Sequence, residues 1–134
     1  MSESALWKHM KKNIGHLGHF SRVESHETSS GIPDVDYCIR GVEGHIELKF
    51  ARGKIPKIRG TQVRWFRDRV KQGGNPWLFT HMIVDGDDCY MLHQGKIVGD
   101  LARAKDQREW AHTAFVMWVD SMNWHELIDY LAVR

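Results

Sequence analysis

Asp34, Glu47 and Lys49 are the residues whose types and spacing can do chemistry. After Pro33 the chain alternates, with Val35, Tyr37 and Ile39 on one face and Asp34, Asp36 and Cys38 on the other. It alternates again from Ile46, where Ile46, Leu48 and Phe50 are apolar and Glu47 and Lys49 lie opposite. Two half-buried strands joined through Gly41 and Gly44 make an antiparallel hairpin. If the hairpin brings its polar faces together, two carboxylates and an ammonium share one surface. A hard divalent ion such as Mg²⁺ takes one or two carboxylates, with a carbonyl and waters completing its shell. Asp34 and Glu47 suit that ion. Lys49, two residues from Glu47, projects to the same side, where its charge can position a water or stabilise developing negative charge. Asp36 shares the face, but its expected place is an exposed strand position, and Glu43 belongs to a solvated turn.

The surrounding elements have to hold that face. Leu6, Met10, Ile14 and Leu17 form an apolar stripe that predicts an amphipathic helix over 4–17, started by Ser2 or Ser4. Residues 18–31 read as a loop with only Arg22-Val23-Glu24 extended. Residues 51–60 (ARGKIPKIRG) form a basic loop, and Thr61 is the expected N-cap of a helix to about Lys71, stopped by Gly73-Gly74, with Val63, Phe66 and Val70 inward. The run 77–84 predicts a buried strand, and Asp85-Gly86-Asp87 a turn into a strand over 89–93. Beyond Asp100 the pattern turns helical, passes an apolar run at 115–119, and ends in a helix with Asn123 and Glu126 at capping-box spacing. The order implies an α/β fold with a central mixed sheet of four to five strands flanked by helices.

Composition sets the bounds. The 134 residues, 42% hydrophobic, suffice for one core, so 1–134 is read as a single domain. A formal charge of +2 gives no bulk signal of a nucleic-acid partner, so charge has to be read locally. Cys38 and Cys89 have neither CxxC spacing nor a disulfide framework around them, which fits a reducing, cytoplasmic setting. No apolar run approaches the ~18 residues that span a bilayer, and the start MSESALWKHMKK lacks the features of a signal peptide.

Gly31-Ile32-Pro33-Asp34, followed twelve residues later by Ile46-Glu47-Leu48-Lys49, resembles the signature of the PD-(D/E)xK nuclease superfamily. With the helix opening at Thr61-Gln62, residues 20–84 are similar to the stand-alone VRR-NUC nucleases of phages and bacteria, and more distantly to Holliday-junction resolvases. The resemblance implies a restriction-endonuclease-like core, Mg²⁺ with Mn²⁺ able to replace it, hydrolysis of branched or flap DNA, and a homodimer. It implies Asp34 and Glu47 as metal ligands, the Leu48 carbonyl as a third, Lys49 as the catalytic lysine, and Gln62 as the helix glutamine that holds a water or the phosphate. Glu24 is the implied acid ahead of the PD turn, with Glu27 as its alternate.

Arg52, Lys54, Lys57 and Arg59, then Arg64, Arg67 and Lys71 at helical spacing, form a basic patch beside Lys49 that can track a phosphate backbone, as can Arg22. An ordinary solvated face is the competing reading. Trp65 can stack on a base, although burial suits it better. His9, His16 and His19 match no standard zinc spacing. Trp110, Phe115, Trp118 and Trp124 suit a core or a dimer surface. Two alternatives stay open: a nuclease on linear duplex DNA, and a DNA-binding module without catalysis.

Overall fold

The computed structural model describes residues 2–23 and 31–134. Helix α1 (Glu3–Ile14) begins at Ser2, whose hydroxyl accepts from Ala5 N at 3.1 Å. Glu3 in the first turn and Lys11 and Lys12 in the last complement the helix dipole. The stripe Leu6, Met10 and Ile14 is buried.

Six strands follow in one sheet of order β1 to β6: β1 (His19–Arg22), β2 (Val35–Ile39), β3 (Val42–Arg52), β4 (Trp77–Val84), β5 (Asp87–Gln94) and β6 (Val116–Val119). All neighbours are antiparallel except β3 and β4, whose parallel pairing requires the crossover through α2 (Gly60–Lys71). Two hairpins close through two-residue turns. Arg40-Gly41 and Asp85-Gly86 all have positive φ, as the twist-compatible primed turns demand. The sheet exceeds the expected four to five strands because β1 and β6 are four-residue edge strands. Such runs are too short to alternate convincingly, and their partners on β2 and β5 define them.

Helices cover both faces. On one, α1 and α5 (Trp124–Leu131) pack Leu6, Met10, Leu127 and Ile128 against Val35, Ile46, Leu48 and Phe79. Asn123 caps α5 by accepting from Glu126 N at 3.1 Å, and Tyr37 ties the helix down by donating to the Leu131 carbonyl at 2.9 Å. On the other face, α2, α3 (Val98–Leu101) and α4 (Gln107–His112) set Phe66, Val98, Leu101 and Trp110 on Ala51, Leu78, Met82 and Met91.

Helix α2 differs from expectation in its N-cap and in its inward face. Its N-cap is Arg59, because Gln62, three positions on, reaches back to accept from Arg59 N at 2.9 Å; Thr61 lies inside the helix. Its inward face is Gln62 and Phe66, with Val63 and Val70 only half-buried. The C-terminal stop is as expected, with Gly73 at φ 91° and Gly74 N donating to the Arg69 carbonyl at 3.0 Å. Among the described residues no helix is long and apolar enough to cross a membrane.

Candidate functional site

Register builds the site. Val35 pairs with Ile46, so Asp34, one step before β2, falls opposite Glu47. The two are locked reciprocally: Asp34 N donates to Glu47 Oε1 at 3.2 Å, and Leu48 N donates to Asp34 Oδ2 at 3.0 Å. The turn leading into Asp34 depends on Gly31, whose φ is 68° and where an added Cβ would run into the Thr61 carbonyl of α2. The GIPD turn thus rests directly on the start of the helix that carries Gln62.

Gln62 is the hub. Its Nε2 donates to Glu47 Oε2 at 2.8 Å, while its Oε1 accepts from Lys49 Nζ at 3.1 Å and from Arg59 N. Lys49 Nζ also donates to the Lys57 carbonyl at 2.9 Å and sits 3.5 Å from Glu47 Oε2. Glu47, Lys49 and Gln62 are 4%, 7% and 3% exposed, and Asp34 is half-buried. The Glu47, Lys49 and Gln62 side chains are therefore each held from at least two directions, and Asp34 by the Leu48 amide.

Electrostatics adds one residue that the sequence reading missed. Burial, then the charges of Asp34 and Glu3, push the Glu47 carboxyl up to about 8 despite the nearby Lys49 ammonium. Glu3, in the first turn of α1, is itself raised by partial burial and by Asp34, against the opposing pull of Lys49, Arg22 and Arg59. In sequence, Glu3 reads as a helix-dipole acid, and only the packing of α1 on β3 brings it within reach of Asp34 and Glu47. Asp34 and Glu47, held together by their reciprocal hydrogen bonds, set two hard oxygen donors side by side, and Glu3 acts on them through its charge. That donor set fits Mg²⁺ or Mn²⁺.

The remaining predicted residues divide by place. Lys57 and Arg59 join the site through their backbones, and Lys54 offers its carbonyl to Gln107 Nε2 at 3.1 Å. Arg22 lies near Ser4 and over the Trp7 ring, beside Glu3. Arg64, Arg67 and Lys71 are exposed on α2. The Leu48 side chain is in the core. Glu24 and Glu27 lie outside the described residues. Asp36 is exposed, 3.7 Å from His45 Nε2. Trp65 is half-buried, edge-on to His45 and Phe66. Among the described residues no three His, Cys, Asp or Glu side chains converge as a ready-made metal cluster, so the histidine zinc idea has no support and the Asp34–Glu47 pair is the candidate centre.

The fold is similar to that of several solved structures, among them a resolvase. The 1.6 Å structure of Archaeoglobus fulgidus Hjc, a Holliday junction resolvase from an archaeal hyperthermophile, matches with a TM-score of 0.52 over 70% of this chain and 78% of that one. At 11% identity the likeness shows the fold, a resolvase-like mixed sheet between helices. No family profile and no curated relative matches the chain.

Proposed function

We propose that the chain is a metal-dependent endodeoxyribonuclease of the PD-(D/E)xK kind, hydrolysing phosphodiester bonds in branched DNA. The observation that carries this reading is the fixed group of Asp34, Glu47, Lys49 and Gln62, in which like charge is concentrated where burial already penalises it. A fold has no need of such a group for its own stability. Asp34 and Glu47 would hold Mg²⁺ or Mn²⁺, with the Leu48 carbonyl as a further ligand and Glu3 as the acid nearest to completing the set. Held there, such an ion would supply Lewis-acid stabilisation of the phosphate and would make a water easier to deprotonate.

The chain's own residues do the rest. Lys49 presents an ammonium that Lys57 and Gln62 hold in place, so it meets charge developing on the phosphate without reorganising. Gln62 fixes Glu47 and Lys49 together, and its own position is set by the Arg59 amide. Arg22 and Arg59 add positive charge at the rim of the acids. The branched substrate follows from the similarity to a junction resolvase and from the sequence resemblance. A homodimer would set two centres on opposite strands.

The test is cleavage of labelled four-way junction, flap and linear duplex DNA with Mg²⁺ and with EDTA. We expect Mg²⁺-dependent cutting that favours the junction or flap by at least about tenfold. Equal cutting of the linear duplex would move the substrate to linear DNA, and binding without any cutting would leave a DNA-binding module.

A further inference from the structure

We propose that a cationic groove between α2 and α3 is a second phosphate-binding site, gripping the DNA backbone within about four base pairs of the candidate centre. This rests on the nuclease reading above and adds where the substrate must extend. The groove holds about 440 Å³, and its walls carry Arg67 and Lys71 from α2, Lys96 just before α3 and Arg103 just after it. Among the described residues no Asp or Glu lines it. Val63 and Val70 give it an apolar floor, suited to the deoxyribose between successive phosphates.

All four cations are exposed. Arg67 lies 3.8 Å from Asp68 and Arg103 lies 2.6 Å from Asp100, in pairs where every partner is about two-thirds exposed or more. Exposed pairs of this kind hold their partners only weakly, so both guanidiniums can turn to a phosphate. The groove shares helix α2 with the candidate centre. Gln62 at one end of α2 touches Glu47, and from Gln62 to Lys71 the helix rises about 14 Å at roughly 1.5 Å per residue. That equals about four base-pair steps of roughly 3.4 Å, and Arg64 lies on the same helix between the two ends. One duplex arm can therefore touch both places. Lys96 and Arg103 belong to no basic run in the sequence, and only the packing of α3 beside α2 adds them to Arg67 and Lys71.

The experiment measures binding of a 30-base-pair duplex and of a four-way junction in EDTA across a KCl series. It compares the parent, Lys96→Ala with Arg103→Ala, Lys96→Glu with Arg103→Glu, and a charge-matched control, Lys12→Ala with Arg134→Ala. Thermal melting checks that each variant is folded. Each phosphate contact contributes about 0.9 to the slope of log affinity against log salt. We expect the alanine pair to lower that slope by about two and to weaken binding at 0.15 M salt by at least about tenfold. The glutamate pair should go further, and the control should keep the parent slope. A parent with steep salt dependence whose slope survives in the alanine pair, or falls equally in the control, overturns the groove. A parent that neither binds nor cuts DNA overturns the nuclease reading instead.

Discussion

Two buried polar groups in this sheet have opposite fates. His93, fully buried beneath α4, gives one hydrogen-bonding nitrogen to the Trp110 carbonyl at 2.7 Å, and burial lowers its pKa to about 4. It stays neutral, a polar side chain made compatible with a core. Glu47, 4% exposed, is pushed the other way by burial, by Asp34 and by Glu3, and it keeps company with a charged lysine. The first arrangement is what packing needs. The second sets acids against one another in a buried place, and it is there that the proposed metal ion would sit.

The contrast breaks most visibly at Lys49. Lys49→Ala should lower cleavage by about a thousandfold or more, as read by single-turnover kinetics. His93→Ala should do the reverse. It removes a hydrogen bond and opens a cavity, so about 2–4 kcal/mol of stability should go, read by urea unfolding, while the isolated metal affinity stays within twofold of the parent.

Gln62→Ala should fall between these. Losing a partner that orients metal ligands lowers activity by about 10- to 100-fold, and losing the reach to the Arg59 amide weakens the start of α2 by about 1 kcal/mol.

The two groups should also tilt stability in opposite directions with pH. His93 has a folded pKa of about 4, below its ordinary 6.5, so stability is lost as pH falls from 6.5 towards 4. Glu47 has a folded pKa of about 8, above its ordinary 4.5, so stability is lost as pH rises from 4.5 towards 8. Each slope approaches about 1.4 kcal/mol per pH unit. Where the windows overlap they oppose one another, giving a metal-free plateau near pH 4.5 to 6.5. In Glu47→Gln only the His93 slope remains, so the urea midpoint should rise with pH up to about 6.5 and stay level from there to about 8. A midpoint that still declines above pH 6.5 in Glu47→Gln would remove Glu47 as the cause.

The smallest effect belongs to Glu3. Glu3→Gln should weaken Mn²⁺ binding by about two- to tenfold, because it removes charge at the edge of the site while Asp34 and Glu47 remain.

Much of the site was legible because it is local. Period-two alternation put Glu47 and Lys49 on one face, and the Gly31–Asp34 turn marked where the hairpin begins. Gln62 was legible only through a family resemblance, since one glutamine on a basic helix carries no signal of its own. Glu3 was not legible, because it lies at the far end of a helix whose only sequence cue is an apolar stripe facing elsewhere. The sheet was underestimated for a related reason: β1 and β6 owe their existence to neighbours on β2 and β5. Arg59 replaced Thr61 as the cap because the hub residue Gln62 supplies the missing bond from inside the helix.

The central claim is tested most directly by cleavage of a labelled four-way junction in Mg²⁺ by the parent and by Glu47→Gln, a change that keeps shape and removes only the ionisable carboxylate. The account predicts that the parent cuts, that EDTA stops it, and that Glu47→Gln folds at least as stably yet cuts at least about a thousandfold more slowly. A Glu47→Gln protein that cuts at the parent's rate would contradict it.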